Sequence, residues 1–166
     1  MCMAMENLIK NYGIVSVESG EAIWFQNDVI GKKNVIENYG TISTGGGNTV
    51  SVIGASPKAS DAGIEFHNHA TGIVEGGITF GSAGDEMYWH AGSEVTGHIN
   101  GLVDGGEGTD TFTLLGEEGT QGELDDKISI SNFETLIKDQ EGSWTILEDL
   151  SGFQSTTVKD GTLAYR

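Results

Sequence analysis

Imperfect self-similarity constrains this chain more than any other property of it. Asn11-Tyr12-Gly13-Ile14-Val15-Ser16 returns 27 residues later as Asn38-Tyr39-Gly40-Thr41-Ile42-Ser43. Ala22-Ile23-Trp24-Phe25 returns as Gly63-Ile64-Glu65-Phe66 and as Gly77-Ile78-Thr79-Phe80, and Gly-Gly pairs recur at Gly45-Gly46, Gly76-Gly77 and Gly105-Gly106. Phrases reused at a period of some tens of residues are the mark of stacked architectures, in which each repeat lies on its neighbour and like residues form columns. In the second repeat Ile and Phe are two apart and share a strand face, while the residue between them changes from Trp24 to Glu65 to Thr79. The constant pair is therefore predicted to point inward and the variable residue outward. Asparagine ahead of glycine suits the turns, because Asn tolerates left-handed backbone angles and its side chain can bond the neighbouring main chain.

Helical periodicity is weak, and short β-branched and aromatic runs bounded by Gly, Asn, Asp and Ser recur from end to end. Strands are predicted at 14–17, 22–25, 50–53, 63–66, 78–80, 87–89, 111–115, 127–130, 143–147 and 156–158. Twenty-six glycines against the single Pro57 demand many turns without the composition of a linker or a collagen. The fold class that follows is all-β: a right-handed parallel β-helix, a single-stranded solenoid with irregular loops of unequal length. Residues 116–126, with five carboxylates, read as an acidic loop leaving the stack. Met1-Cys2-Met3-Ala4-Met5 reads as leader, and residues 6–166 as a single domain.

Charge excludes some partners. Eight basic against 25 acidic residues give a net charge of -17, a sign that phosphate backbones and anionic lipid surfaces repel, so nucleic acid is not expected. The only arginine is Arg166, which leaves none in the body of the chain for a bidentate carboxylate or phosphate clamp. A lone Cys2 makes no disulfide framework. No run of about 18 apolar residues occurs, and no charged n-region with an apolar h-region, so this segment is not expected to span a membrane and export would need a signal outside it.

Several phrases together resemble the passenger domains of Gram-negative autotransporters, the type V secreted proteins. They are Asn38-Tyr39-Gly40-Thr41-Ile42-Ser43, Gly63-Ile64-Glu65-Phe66, Gly77-Ile78-Thr79-Phe80-Gly81 leading into Gly84-Asp85, and Gly92-Ser93-Glu94-Val95-Thr96-Gly97-His98-Ile99. Gly105-Gly106-Glu107-Gly108-Thr109-Asp110-Thr111-Phe112-Thr113-Leu114 continues the series. Asn132-Phe133-Glu134-Thr135-Leu136, Gly142-Ser143-Trp144-Thr145-Ile146, Thr156-Thr157-Val158 and Gly161-Thr162-Leu163 are similar to the passenger-associated transport repeat. The resemblance runs over residues 38–165. It implies a β-helical passenger, extracellular or displayed on the surface of a Gram-negative bacterium, with a structural or adhesive role. Its expected partners are a host or neighbouring-cell surface protein or glycan, with end-to-end self-association through unpaired end coils. The translocator barrel of a whole autotransporter, with strands of about 9 to 11 residues, has no counterpart in the sequence.

Other chemistries have candidate residues in the chain. The phrase from Gly105 to Thr113 fits the nonapeptide of calcium-binding rolls, with Asp110 as the carboxylate and Gly84-Asp85 as the nearest second copy, which makes an RTX-like calcium roll the alternative function. A single nonapeptide cannot build the cage that tandem copies build, so no calcium is expected. His67 and His69 would share a strand face and begin a metal pair, which His90 and His98 could join after folding. No cysteine or ordered ligand spacing accompanies them, so no metal and no cofactor is expected. A polysaccharide-processing β-helix enzyme is the remaining alternative. Lyases of that kind need Lys and Arg, which are nearly missing from the middle of the chain, and hydrolases need a close carboxylate pair, for which Asp125-Asp126 is the only adjacent aspartate pair. No Gly-x-Ser-x-Gly elbow is present, and no catalytic residue is assigned. Trp24, Trp89, Trp144, Tyr39 and Tyr88 are candidate contact residues, and Met87-Tyr88-Trp89-His90 must turn some aromatic surface outward.

Overall fold

The computed structural model describes residues 7–25, 32–45, 51–55, 62–96, 102–147 and 149–166. Among these it contains strands and turns and no helix. The strands β1 (Leu8–Asn11), β2 (Ile14–Val17) and β3 (Ile23–Phe25) are followed by β4 (Lys32–Asn38), β5 (Thr41–Thr44) and β6 (Ser51–Ala55). Next come β7 (Ala62–Asn68), β8 (Ile73–Glu75) and β9 (Gly77–Thr79), then β10 (Glu86–His90), β11 (Glu94–Thr96) and β12 (Leu102–Asp104). The chain ends with β13 (Thr111–Leu115), β14 (Gln121–Leu124), β15 (Ser129–Ser131), β16 (Thr135–Lys138), β17 (Ser143–Ile146), β18 (Ser155–Val158) and β19 (Thr162–Tyr165).

Every strand pairing is parallel, which is consistent with a parallel β-solenoid. Sheet A has the order β1-β4-β7-β10-β13-β16-β18, sheet B β11-β8-β5-β2, sheet C β15-β12-β9-β6-β3 and sheet D β14-β17-β19. The chain thus visits A, B and C in the same order four times. From β14 onward sheet D takes the place of sheet B, while sheet A continues without a break.

The interior consists of columns. In sheet A, Ile9, Ile36, Phe66, Met87, Phe112 and Leu136 stand in register; in sheet B, Val15, Ile42, Val74 and Val95; in sheet C, Ile23, Ile53, Ile78, Val103 and Ile130. Nearly all of these are buried in one continuous cluster. Each fully buried Ile or Phe contributes roughly 1.5 to 3 kcal/mol, so the columns carry most of the stability.

The predicted alternation holds. Ile23 and Phe25 are buried with Trp24 49% exposed between them, and Ile64, Phe66, Ile78 and Phe80 all face inward. The first repeat is a true stacking repeat, since Asn11 pairs with Asn38 and Ser16 with Ser43. The second is not a single column: Ile23 and Ile78 stand in sheet C, whereas Ile64 and Phe66 lie in sheet A. The small-Ile-x-Phe signature reports a strand with one face inward, wherever that strand stands.

One half of the turn chemistry expected of asparagine holds, since Asn11 Oδ1 accepts the Gly13 N–H at 3.1 Å, and the other half does not. Positive φ outside glycine occurs, among the described residues, at Asn132 and Gln140, not at Asn11 or Asn38. Asn11, Asn38 and Asn68 form a buried ladder instead: Asn11 Nδ2 donates to Asn38 Oδ1 at 2.8 Å and Asn38 Nδ2 to Asn68 Oδ1 at 2.9 Å. Their amides also donate to the carbonyls of Thr41, Ile73 and Glu94, satisfying polar groups at the corner between sheets A and B. In the same register the ladder is continued by Trp89, Leu114, Lys138 and, on the last strand, Val158. The fully buried Lys138 ammonium donates to the carbonyls of Asp139 and Gln140 at 2.7 Å and of Asp160 at 3.1 Å.

The acidic segment 116–126 is not a plain loop. It contains β14, where Gly122 pairs with Trp144 and Leu124 with Ile146, so the segment opens the fourth sheet. A side chain on Gly122 would enter the Trp144 indole, whose Nε1 donates to the Leu115 carbonyl at 3.1 Å.

Candidate functional site

Sheet A turns two columns of polar and aromatic side chains outward, and they meet at β7 and β10. One column runs through Lys10, Glu37, His67 and Tyr88, set by the register of β1, β4, β7 and β10. Beside it runs a ring stack. Tyr12 lies on Tyr39 with centroids 4.8 Å apart, and Tyr39 on His69 at 3.9 Å with planes 4° apart. His67 stacks on Tyr88 at 4.2 Å and 3°. Parallel strands repeat side chains every 4.8 Å or so, which is enough to place flat rings face to face.

Three histidines converge there. His67 and His69 share a face as predicted, with centroids 5.7 Å apart, and His90 stands 4.5 Å from His69. One ring nitrogen from each of the three lies within 4.8 Å of the other two. His67 Nε2 is 2.8 Å from Glu65 Oε1, while Nε2 of His69 and of His90 are shielded from solvent and have no hydrogen-bond partner. Burial lowers the pKa of His90 to about 4 and also lowers that of His69, with repulsion from the neighbouring imidazoles adding to it, so both are neutral at pH 7. A shallow depression bordered by Tyr39, Thr71, Glu117, Thr120 and Gln140 opens beside His69 and His90. His98, the fourth histidine, lies outside the described residues.

The calcium-roll residues form a second polar column, facing the corner that leads into sheet A. The Ile64 N–H donates to Asp85 Oδ1 at 2.5 Å, the Asp85 N–H to Asp110 Oδ1 at 2.6 Å and the Asp110 N–H to Glu134 Oε2 at 2.7 Å. Asp85 also accepts from the Gly81 N–H at 3.1 Å. Gly106 and Gly108 of the nonapeptide have φ of 87° and 128°, angles that side chains rarely adopt, and they shape this corner. Asp85 and Asp110 are 1% and 0% exposed. Burial raises Asp85 to about 6 against the hydrogen bonds from Ile64 and Gly81. It raises Asp110 to about 7, with the charges of Asp85, Glu134 and Asp104 adding to the effect. These carboxylates are directed at backbone rather than at solvent.

Asp125 and Asp126 do not make an acid-base pair. Asp125 bonds Lys127 at 2.7 Å, which holds its carboxyl below the ordinary range, the reverse of what a general acid needs. Of the aromatic candidates, Trp24 is exposed, Tyr39 and Tyr88 belong to the outer stacks, and Trp89 and Trp144 are core. Sequence reasoning missed the part of Glu65 as the partner of His67, the Tyr12 ring, the Glu134 acceptor and the buried Lys138. A signal for the placing of His90 was present: Glu65-Phe66-His67-Asn68-His69-Ala70 and Glu86-Met87-Tyr88-Trp89-His90-Ala91 share Glu, His and Ala at equal positions, which sets His90 beside His69.

No helix among the described residues is long and apolar enough to cross a membrane. In comparisons with known proteins, no family model, no curated sequence and no solved structure matches the chain.

Proposed function

We propose that the chain is a segment of a right-handed parallel β-helix of the autotransporter-passenger kind, secreted or displayed at the surface of a Gram-negative cell as a structural and adhesive wall. The observation that carries this reading is the unbroken parallel register of sheet A through seven strands, which gives a long outer face made of repeated polar and aromatic columns. Such a stack gains stability by adding circuits and needs no disulfide, in keeping with the single Cys2. The inward use of Asp85 and Asp110 as backbone acceptors favours this reading over a calcium roll. Trp24 and Tyr12, both exposed, supply flat apolar surface for a protein or glycan partner.

The reading is tested by joining the chain to an export signal and a translocator barrel in a Gram-negative host. It should reach the cell surface, where added protease digests it, and cells carrying Trp24→Ser should adhere less than cells carrying the unaltered chain. Retention in the periplasm would overturn the passenger assignment. Val158 and Tyr165, which continue the buried columns of Leu114 and Lys138 in sheet A and of Leu124 and Ile146 in sheet D, are exposed on the last strands, which supports stacking of a further copy there. Sedimentation of the purified chain should then show concentration-dependent association, and a monomer at millimolar concentration would count against it.

A further inference from the structure

We propose that His67, His69 and His90 form a binding site for a divalent transition-metal ion of the Zn²⁺ or Cu²⁺ class, with a fourth coordination position facing the depression beside His69 and His90. This goes beyond the passenger reading and does not depend on it. His67 lies on β7, His69 directly follows its last residue and His90 ends the neighbouring β10, and a ring nitrogen of each lies within 4.8 Å of the others. A tetrahedral ion bound at about 2.0 to 2.1 Å holds its nitrogens roughly 3.3 Å apart, so each ring needs to move inward by only about 1 Å. Side chains on an outer sheet face can do this by rotating about χ1 and χ2 without disturbing the core.

Three further features fit a metal. Nε2 of His69 and of His90 are both shielded from water and both lack a partner, a state that costs about 1 to 3 kcal/mol per group when nothing compensates it. A bound ion would supply that partner. Glu65 holds Nε2 of His67 at 2.8 Å, the carboxylate-histidine arrangement that orients a ligand ring and makes its other nitrogen a better donor. Tyr39 and Tyr88 lie flat on His69 and His67 and restrict the two ring planes. An all-imidazole donor set selects Zn²⁺, Cu²⁺ or Ni²⁺ over the hard ions Ca²⁺ and Mg²⁺. Three protein ligands with an open fourth position leave room for water, or for a side chain of a partner that docks on this face. The ion would also tie β7 to β10 on the outside of the sheet.

Calorimetric titration of the full chain with Zn²⁺ in a non-chelating buffer tests this, with Ca²⁺ as the control ion. The expected result is one Zn²⁺ per chain, unaffected by millimolar Ca²⁺, and visible absorption typical of four-coordinate cobalt when Co²⁺ replaces Zn²⁺. His69→Gln and His90→Gln should abolish the stoichiometric site, and Glu65→Gln should weaken it by about 10- to 100-fold. Circular dichroism confirms that each variant keeps its strands, and His98→Ala should leave the affinity unchanged. Weak multiple-site binding that survives in His67→Gln/His69→Gln/His90→Gln would show that the acidic surface, not this cluster, collects the ion and would overturn the assignment. So would a 1:1 site lost only in His98→Ala.

Discussion

Replacing Asp110 by asparagine should stabilise this protein at alkaline pH, although it alters a fully buried hydrogen-bonded residue. The carboxylate accepts the Asp85 N–H through Oδ1, while its Oδ2 is buried with no partner. Asp85, Glu134 and Asp104 surround it with negative charge. An asparagine has the same shape, keeps the acceptor for Asp85 and carries no charge. Burial and these neighbours raise Asp110 to about 7 from the model-peptide 3.8, slightly more than three powers of ten in proton affinity. At about 1.4 kcal/mol for each power, the upper bound on the cost of ionising it in the folded state is about 4 kcal/mol. The folded chain binds this proton more tightly than the unfolded chain, so its contribution is complete below about pH 4 and is lost as pH rises through 7. Asp110→Asn should therefore exceed the unaltered chain by about 2 to 4 kcal/mol at pH 8, or about 5 to 15 °C in melting temperature. The gap should narrow steadily on acidification and close near pH 4. Thermal and urea unfolding followed by circular dichroism at pH 8, 6 and 4 reads it. A variant less stable than the parent at pH 8, or a gap that does not vary with pH, would refute the reasoning.

Lys138→Met should cost about 1 to 3 kcal/mol, because the carbonyls of Asp139, Gln140 and Asp160 lose the ammonium donor that joins them. Hydrogen exchange should show the loss concentrated in β16 and β18, and uniform protection would argue against this. Gly122→Ala should destabilise by about 1 to 3 kcal/mol through collision with Trp144, seen as a lower urea midpoint and an altered tryptophan emission. Calcium at millimolar concentration should leave the melting temperature unchanged, since Asp85 and Asp110 are turned to backbone N–H groups; a stoichiometric heat of binding would contradict this.

What the sequence reveals about this fold is local, and what it conceals is register. Ile23-Trp24-Phe25 displays its inward and outward faces because all three side chains are large and distinct. Asn11-Tyr12-Gly13 and Asn38-Tyr39-Gly40 disclose their stacking because a buried amide ladder sets the same side chain at both positions. The equivalent phrase at Asn68-His69-Ala70-Thr71-Gly72 escapes recognition because two residues are inserted before the glycine. The strand at Gln121–Leu124 is hidden in an acidic segment because its inward position opposite Trp144 is a glycine, so no alternation appears. The histidine cluster needs a pairing offset of 21 between Glu65 and Glu86, shorter than the 30 between Val35 and Glu65. A site assembled across strands depends on that offset, which the spacing of 27 between the Asn-Tyr-Gly phrases does not supply and to which only the matching Glu, His and Ala of residues 65–70 and 86–91 point.

The continuity of sheet A has a mechanical consequence. Its interstrand hydrogen bonds point from each strand to the next, along the line that joins β1 to β18. A pull applied between the two ends of the chain loads those bonds one strand at a time, as in opening a zipper, and not many at once, as in shearing two strands past each other. Extension should thus proceed by peeling successive turns at low, nearly constant force, each released segment lengthening the tether while the remainder stays folded.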